Sequence, residues 1–112
     1  MAIFAIHYTY PDDTTELFKV RPAHREWLGG LHGLLAAGMY QDGHDEVNEG
    51  EPTVEEPVNA ALIIVEADSL AAATATFEQD PYWQGGLVLR RVIREWNPPL
   101  GAWVADATQS PG

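Results

Sequence analysis

The stretch from Ala60 to Val65 is a continuous apolar run, Ala-Ala-Leu-Ile-Ile-Val, and it predicts a buried β-strand. A second strand is predicted from Ala2 to Thr9. Its two faces are formed by Phe4, Ile6 and Tyr8 and by Ile3, Ala5 and His7. Because both strands are largely apolar on both faces, the sheet that contains them has to be covered on both sides.

Length and composition limit the class of protein. The chain has 112 residues, of which 46% are hydrophobic, so we expect one domain with a single core. It contains no cysteine, which excludes disulfides, zinc–thiolate sites and thiol catalysis. A net charge of −11 argues against nucleic acid or a membrane surface as a partner, because both are anionic. No long apolar run or signal-peptide pattern occurs, which favours a cytoplasmic protein.

The main helix is predicted to run from Pro22 to Gly38, because proline fits the first helical position. His24 then lies in the first turn. The apolar residues that follow on the same stripe are Leu28, Leu31 and Leu35. The imidazole is therefore expected to point at the core. The helix macrodipole disfavours a charged imidazole near an N-terminus, so His24 is expected to be neutral and able to act as a base.

The remaining segments complete a β-α-β-β-α-β pattern. They are a weak strand from Met39 to about Asp42, the strand from Asn59 to Glu66, a helix from Leu70 to about Gln79 capped by Asp68-Ser69, and a strand from Leu87 to Trp96. This order is typical of the ferredoxin-like α+β fold, a four-stranded antiparallel sheet with two helices on one face.

The predicted topology places two polar residues side by side. Right-handed crossovers make the two helices antiparallel, so the start of the first and the end of the second lie at the same end of the domain. His24 and Asp80, each on a sheet-facing stripe, are therefore predicted neighbours. Because the helices cover only one face of the sheet, its other apolar face predicts a homodimer packed sheet to sheet.

Four segments carry recognisable motifs. They are Val20-Arg21-Pro22-Ala23-His24, Val65-Glu66-Ala67-Asp68-Ser69-Leu70, Asp80-Pro81-Tyr82 with Gly86-Leu87, and Glu95-Trp96-Asn97-Pro98. Together they resemble the YCII-related family of the dimeric α+β barrel superfamily, over about residues 2 to 101. We accordingly divide the chain into a ferredoxin-like domain over residues 1–101 and a C-terminal tail over residues 102–112.

The resemblance implies protomers paired through their sheets and a catalytic dyad of one histidine and one aspartate in a cleft. The matching positions are His24 in the Arg-Pro-Ala-His motif and Asp80 in the Asp-Pro-Tyr motif. Members of the family usually have a more apolar second strand, where this chain has Tyr40-Gln41-Asp42-Gly43-His44 and an acidic loop. The resemblance therefore leaves the shape of the pocket and the substrate open.

An Asp–His pair suits general acid–base chemistry, because the carboxylate orients the imidazole and stabilises its protonated form. The alternative is structural: the contact between His24 and Asp80 locks two helix ends together. Arg21 would be an unusual N-cap, and its side chain either holds a substrate carboxylate or phenolate or is a solvated surface arginine. Tyr82 and Trp83 either wall an aromatic pocket or pack in the core.

Metal and nucleotide sites have little support in the sequence. His44, Asp45 and Glu46 offer ligands within one loop, but a solvated acidic loop is the favoured interpretation, so no metal site is predicted. There is no glycine-rich phosphate loop after a strand, no G-x-S-x-G elbow and no H-E-x-x-H helix. Nucleotide binding, serine hydrolysis and zinc proteolysis are therefore not indicated, and no cofactor is expected.

The function predicted from the sequence is proton transfer by His24 and Asp80, in an elimination or isomerisation of a small anionic or aromatic molecule. Arg21, Tyr82 and Trp83 are the predicted substrate-binding residues. The alternative is a non-catalytic ligand-binding or accessory homodimer in which the His24–Asp80 contact is structural. A cofactor-free oxygenase is a third hypothesis, without a residue signature.

Overall fold

The computed structural model describes residues 1–41 and 59–103 of the chain. The elements in this part are β1 (Ala2–Thr9), α1 (Thr15–Gly29), β2 (Leu34–Met39), β3 (Ala60–Ala67), α2 (Leu70–Phe77), α3 (Pro81–Gln84) and β4 (Arg90–Glu95). The acidic loop with His44, Asp45 and Glu46, and the tail beyond residue 103, lie outside the described residues. None of the helices within the described ranges is long and apolar enough to cross a bilayer.

The four strands form one antiparallel sheet in the order β2-β3-β1-β4. The strands predicted from their two apolar faces, β1 and β3, are the central ones, and Ile6 of β1 lies between Ile63 and Ile93 in the register. The shorter strands β2 and β4 form the edges. This arrangement confirms the predicted ferredoxin-like α+β fold.

The core lies between one face of the sheet and the helices. Its buried side chains are Phe4, Ile6, Tyr8, Tyr10, Leu17, Leu28, Ala61, Ile63, Val65, Ala73, Phe77 and Tyr82. The alternate residues of β1 and β3, among them Ala5, Leu62 and Ile64, lie on the opposite face. The central strands therefore carry apolar residues on both faces of the sheet, as the sequence predicts, and no described helix covers the face opposite the core.

Helix α1 differs from its prediction at both ends. It begins at Thr15 and ends at Gly29, so Pro22 lies inside the helix rather than at its first position. An interior proline costs a helix about 3 kcal/mol, because one backbone hydrogen bond is lost. His24 lies more than two turns beyond the N-terminus, where the macrodipole no longer acts, so the expectation that the dipole keeps it neutral has no basis.

Strand β2 begins inside sequence that we predicted to be helical up to Gly38, and of the predicted strand from Met39 to about Asp42 it contains only Met39. Leu34 to Met39 pairs with β3, although the leucines and alanines in it favour helices. The adjacent Gly29 and Gly30 end α1, and the Gly33 carbonyl accepts a hydrogen bond from the Glu66 N–H at 2.8 Å. A Cβ at Gly33 would collide with the Glu66 carbonyl oxygen. Pairing with β3 therefore outweighs local helix propensity.

Helix α2 follows its prediction more closely. It begins after Ser69, whose hydroxyl accepts a hydrogen bond from the Ala72 N–H at 3.0 Å, as expected for an N-cap. It ends at Phe77, two residues before the predicted end. The chain then turns at once into α3, and this short connection places Asp80 in the core.

Candidate functional site

Asp80 owes its position to the way α3 begins. It is the N-cap of that helix, and Pro81 takes the first helical position, where its missing N–H costs nothing. The Asp80 Oδ1 accepts a hydrogen bond from the Tyr82 N–H at 2.9 Å. The side chain is fully buried, so it needs further partners to offset the loss of water.

Two side chains supply these partners. His24 Nδ1 lies 2.7 Å from Asp80 Oδ1, and the Tyr8 hydroxyl donates to Oδ2 at 2.7 Å. With the Tyr82 N–H, three groups converge on one carboxylate. This is the environment of an ionised carboxylate, which only accepts hydrogen bonds. The proton of this contact is therefore on His24 Nδ1. The hydrogen bonds around Asp80 thus define the neutral tautomer of His24 as the one protonated on Nδ1.

The second nitrogen of His24 is left available. Nε2 has no hydrogen-bond partner among the described residues. The His24 side chain keeps 9% of its surface exposed, so it is not fully sealed from solvent. The imidazole stacks on the Tyr82 ring, with centroids 3.7 Å apart and planes 9° apart. The carboxylate and this ring thus hold the imidazole in one orientation.

Tyr8 is a partner of Asp80 that the sequence analysis did not identify. Burial raises the pKa of its hydroxyl far above the ordinary value, and the adjacent charge of Asp80 raises it further. The hydroxyl therefore remains a donor to the carboxylate. The alternation of β1 places Tyr8 on the core face, but nothing in the sequence indicates which polar group it meets there.

His24 borders a cavity of about 310 Å³. The polar side chains that line it with His24 are Tyr10, Arg21, Arg25, Gln41 and Tyr82, and the rest of the wall is Leu28, Ala37, Gly38, Met39, Ala61 and Ile63. Arg21 is in the interior of α1 and not at its N-cap, so the argument that made it unusual was wrong. Its side chain nevertheless borders the same cavity as His24.

Arg25 also lines the cavity, although the sequence analysis did not select it. It follows Arg21 by four residues, which puts both on the same face of α1, and this spacing was the available signal. Burial raises the pKa of the Tyr82 hydroxyl, while the charges of Arg21 and Arg25 act to lower it.

Trp83 does not line the cavity. The Arg91 guanidinium lies over its ring, 3.7 Å from the centroid, and Arg91 Nη2 is 3.2 Å from Glu78 Oε1. Trp83 therefore joins α3 to β4, whereas Tyr82 points to the cavity. Within residues 1–41 and 59–103, no group of three or more His, Asp or Glu side chains is placed to hold a metal ion.

Comparison with known proteins gives a family and a fold. The sequence model of the YCII-related domain matches residues 1–97. No curated protein sequence matches the chain. Among solved structures, the chain is similar to the 5-chloro-2-hydroxyhydroquinone dehydrochlorinase of Burkholderia phenoliruptrix in complex with 2,5-dihydroxybenzoquinone. The TM-score is 0.65 at 18% identity, over 85% of this chain and 93% of that one.

Two further structures show the same architecture. An uncharacterised NIPSNAP domain protein of Burkholderia xenovorans has a TM-score of 0.53 at 15% identity, over 95% of this chain and 100% of that one. SnoaB, a cofactor-independent oxygenase of Streptomyces nogalater, has a TM-score of 0.50 at 10% identity, over 92% and 97% of the two chains. At these identities the likeness shows the fold, and activity has to be argued from the site.

Proposed function

The chain belongs to the YCII-related family, and from that premise we propose that it is a small-molecule enzyme whose His24 and Asp80 transfer a proton. The observation that carries the proposal is the state of the imidazole. Nδ1 contacts the buried Asp80 carboxylate at 2.7 Å. Nε2 has no partner among the described residues, and the His24 side chain lines a cavity of about 310 Å³. A purely structural histidine usually has both nitrogens satisfied by protein.

The proposed reaction begins with a proton transfer to Nε2. The neutral imidazole takes a proton from a carbon or hydroxyl of the substrate, and the Asp80 carboxylate stabilises the imidazolium that forms. In an elimination, the electron pair left on carbon forms a new double bond and a leaving group departs as an anion. In an isomerisation, the imidazolium returns the proton to another atom of the same molecule. Neither reaction needs an electron acceptor.

The cavity also supports the proposed substrate contacts. We assign Arg21 to an anionic group of the substrate, because its side chain lines the cavity and has no carboxylate partner among the described residues. Its guanidinium carbon lies over the exposed Phe18 ring, 5.4 Å from the centroid. Tyr82 forms part of the wall and holds the imidazole plane. Trp83 is not among the proposed substrate contacts, because its ring packs against Arg91 and does not line the cavity.

We also propose that the protein is a homodimer paired through the open face of its sheet. Ala5, Leu62 and Ile64 make part of this face apolar, and no described helix covers it. Ala5 and Leu62 are half-buried, whereas Ile64 is already buried within the chain. Partly open apolar faces of this kind usually mark an interface between proteins. Analytical ultracentrifugation at micromolar concentration is expected to give the mass of a dimer, whereas a monomer under these conditions would contradict the pairing.

The alternative function is ligand binding without chemistry. It is favoured by one observation: Asp80 accepts from His24, Tyr8 and the Tyr82 N–H, so the same contacts join α1, β1 and α3. In that case the His24–Asp80 pair would stabilise the fold and no bond would be made or broken in the cavity.

The two functions are separated by proton exchange in D₂O. The first assay measures deuterium uptake by mass spectrometry in a panel of small carbonyl compounds and phenols. The second assay tests for elimination by measuring the release of chloride from chlorohydroquinone. His24→Asn removes the base and is expected to lower an observed rate by about 10²–10⁴-fold. His32→Asn is the matched control, because His32 is exposed in the turn after α1 and should leave the rate unchanged.

Two results would contradict the proposed chemistry. One is a His24→Asn variant that is folded and keeps the rate of the wild type. The other is binding of panel members in the cavity without exchange or release of any group, which would favour the non-catalytic alternative.

A further inference from the structure

The cavity beside His24 combines a cationic entrance with an apolar interior. Arg25 is exposed, Arg21 is half-buried and His24 is buried, so the three side chains follow one another from solvent into the core. Leu28 and Ile63 form part of the apolar wall beyond them. A ligand that fits this gradient has a charged end and an apolar body.

The charge of the entrance is conspicuous in a chain with a net charge of −11. No carboxylate lines the cavity among the described residues, and none lies within 4.0 Å of Arg21 or Arg25 there. By contrast, Lys19 pairs with Glu16 at 2.9 Å and Arg91 pairs with Glu78 at 3.2 Å. In that part of the chain, the two arginines that line the cavity therefore have no protein counter-ion, and the Arg21 guanidinium lies over the Phe18 ring, 5.4 Å from its centroid.

The spacing of the arginines suits one planar anion. Side chains four residues apart on a helix lie on the same face, with Cβ atoms about 5–6 Å apart. Guanidinium groups bind carboxylates through two parallel hydrogen bonds, which a compact ammonium group does not offer. Tyr82 lines the same cavity as both arginines, and its hydroxyl is a third hydrogen-bond donor available to a ligand there.

The volume sets the size of the apolar body. An apolar cavity of roughly 150 Å³ accommodates benzene, and the cavity here has about twice that volume. It therefore has room for one substituted ring. With the charged group at the arginines, the ring lies in the apolar interior beside His24.

From these observations we infer that the cavity selects single-ring carboxylic acids, with Arg21 and Arg25 together binding the carboxylate and Arg25 determining specificity. The inference rests on the proposed function, since it concerns the substrate class of the same site. Arg25 is a binding residue in this scheme and takes no part in the proton transfer.

The test is binding of benzoate compared with benzamide, which has nearly the same shape and no charge, by isothermal titration calorimetry. We expect saturable binding of benzoate at millimolar concentrations and at least tenfold weaker binding of benzamide. Arg25→Met keeps much of the side-chain length without the charge and should weaken benzoate at least fivefold with little effect on benzamide. Arg21→Met should act in the same direction.

One control keeps the result specific. Arg90→Met removes an arginine of β4 that does not line the cavity, and benzoate affinity should stay within twofold. Circular dichroism and thermal unfolding establish that each variant is folded, and Arg25, being exposed, is the safer of the two arginine variants.

The inference is overturned by equal affinities for benzoate and benzamide, by undetectable benzoate binding at millimolar concentrations, or by wild-type affinity in Arg25→Met. These outcomes differ from failure of the proposed function. Charge-selective binding without any proton exchange would keep the anion site and remove the chemistry. Exchange on a neutral probe that Arg25→Met leaves unchanged would keep the chemistry and remove the anion site.

Discussion

Replacing Tyr8 by phenylalanine removes one hydroxyl group and leaves the ring of the core in place. The hydroxyl donates to Asp80 Oδ2 at 2.7 Å, and Asp80 is fully buried, so water cannot take its place without a rearrangement. A hydrogen bond to a charged group contributes about 1.5–3 kcal/mol. We therefore expect the free energy of unfolding at pH 7 to fall by about 2 kcal/mol, which lowers the melting temperature by about 8 °C.

Tyr10→Phe is the matched control for this substitution. Tyr10 is equally buried and also belongs to the core, but its hydroxyl has no hydrogen-bond partner among the described residues and borders the cavity. Its free energy of unfolding should change by less than about 0.5 kcal/mol at pH 7. Urea denaturation followed by fluorescence measures both variants. Equal losses in the two would refute the assignment of the Tyr8 hydroxyl to the carboxylate.

The raised pKa of Tyr8 adds a pH dependence to the same experiment. Below about pH 10 the hydroxyl is protonated in both the folded and the unfolded chain. Above that pH the unfolded chain loses the proton while the folded chain retains it, so the unfolded state binds fewer protons and stability falls as pH rises. At pH 11 this contribution is about 1.4 kcal/mol. The stability gap between wild type and Tyr8→Phe should therefore narrow between pH 9 and pH 11, and a constant gap would contradict the argument.

Two further predictions concern packing. Gly33→Ala should lower the free energy of unfolding by about 1–3 kcal/mol, because the new Cβ meets the Glu66 carbonyl oxygen. In Gly38→Ala the new Cβ has no neighbouring atom within 4 Å, so the free energy of unfolding should change by less than about 0.5 kcal/mol. Denaturation of the two variants side by side checks this, and equal values would contradict it. Phe77→Ala should cost about 3–5 kcal/mol, because Phe77 is fully buried against Trp27. A loss under about 1 kcal/mol would place Phe77 outside the core.

The sheet was predictable because its strands carry their own signal. The apolar faces of β1 and β3 and the β-α-β-β-α-β order led to the observed topology, and from that topology to His24 and Asp80 as neighbours. His24 lies in the interior of α1 and not at its start, so the argument that paired the two residues through the helix ends was wrong for α1. What holds is the expectation that both side chains point at the core, where both are buried.

The first helix was mispredicted because local signals contradicted the tertiary structure. Pro22 has the properties of a helix start, and the leucines after it continue a helical stripe, but β2 forms because β3 needs a partner at that edge. Tyr8 and Trp83 show a second limit. Their roles depend on strand register and on which side of α3 each ring faces, and neither follows from residue type.

The wall of the cavity and the His24–Asp80 contact come from different parts of the fold. Asp80 and His24 are anchored in the core, whereas Ala37 and Gly38 belong to β2, an edge strand with one neighbour. Mutations at these two exposed positions can reshape the cavity without disturbing the buried carboxylate. New ligand preferences can therefore evolve on this scaffold at little cost in stability, while the His24–Asp80 contact stays unchanged.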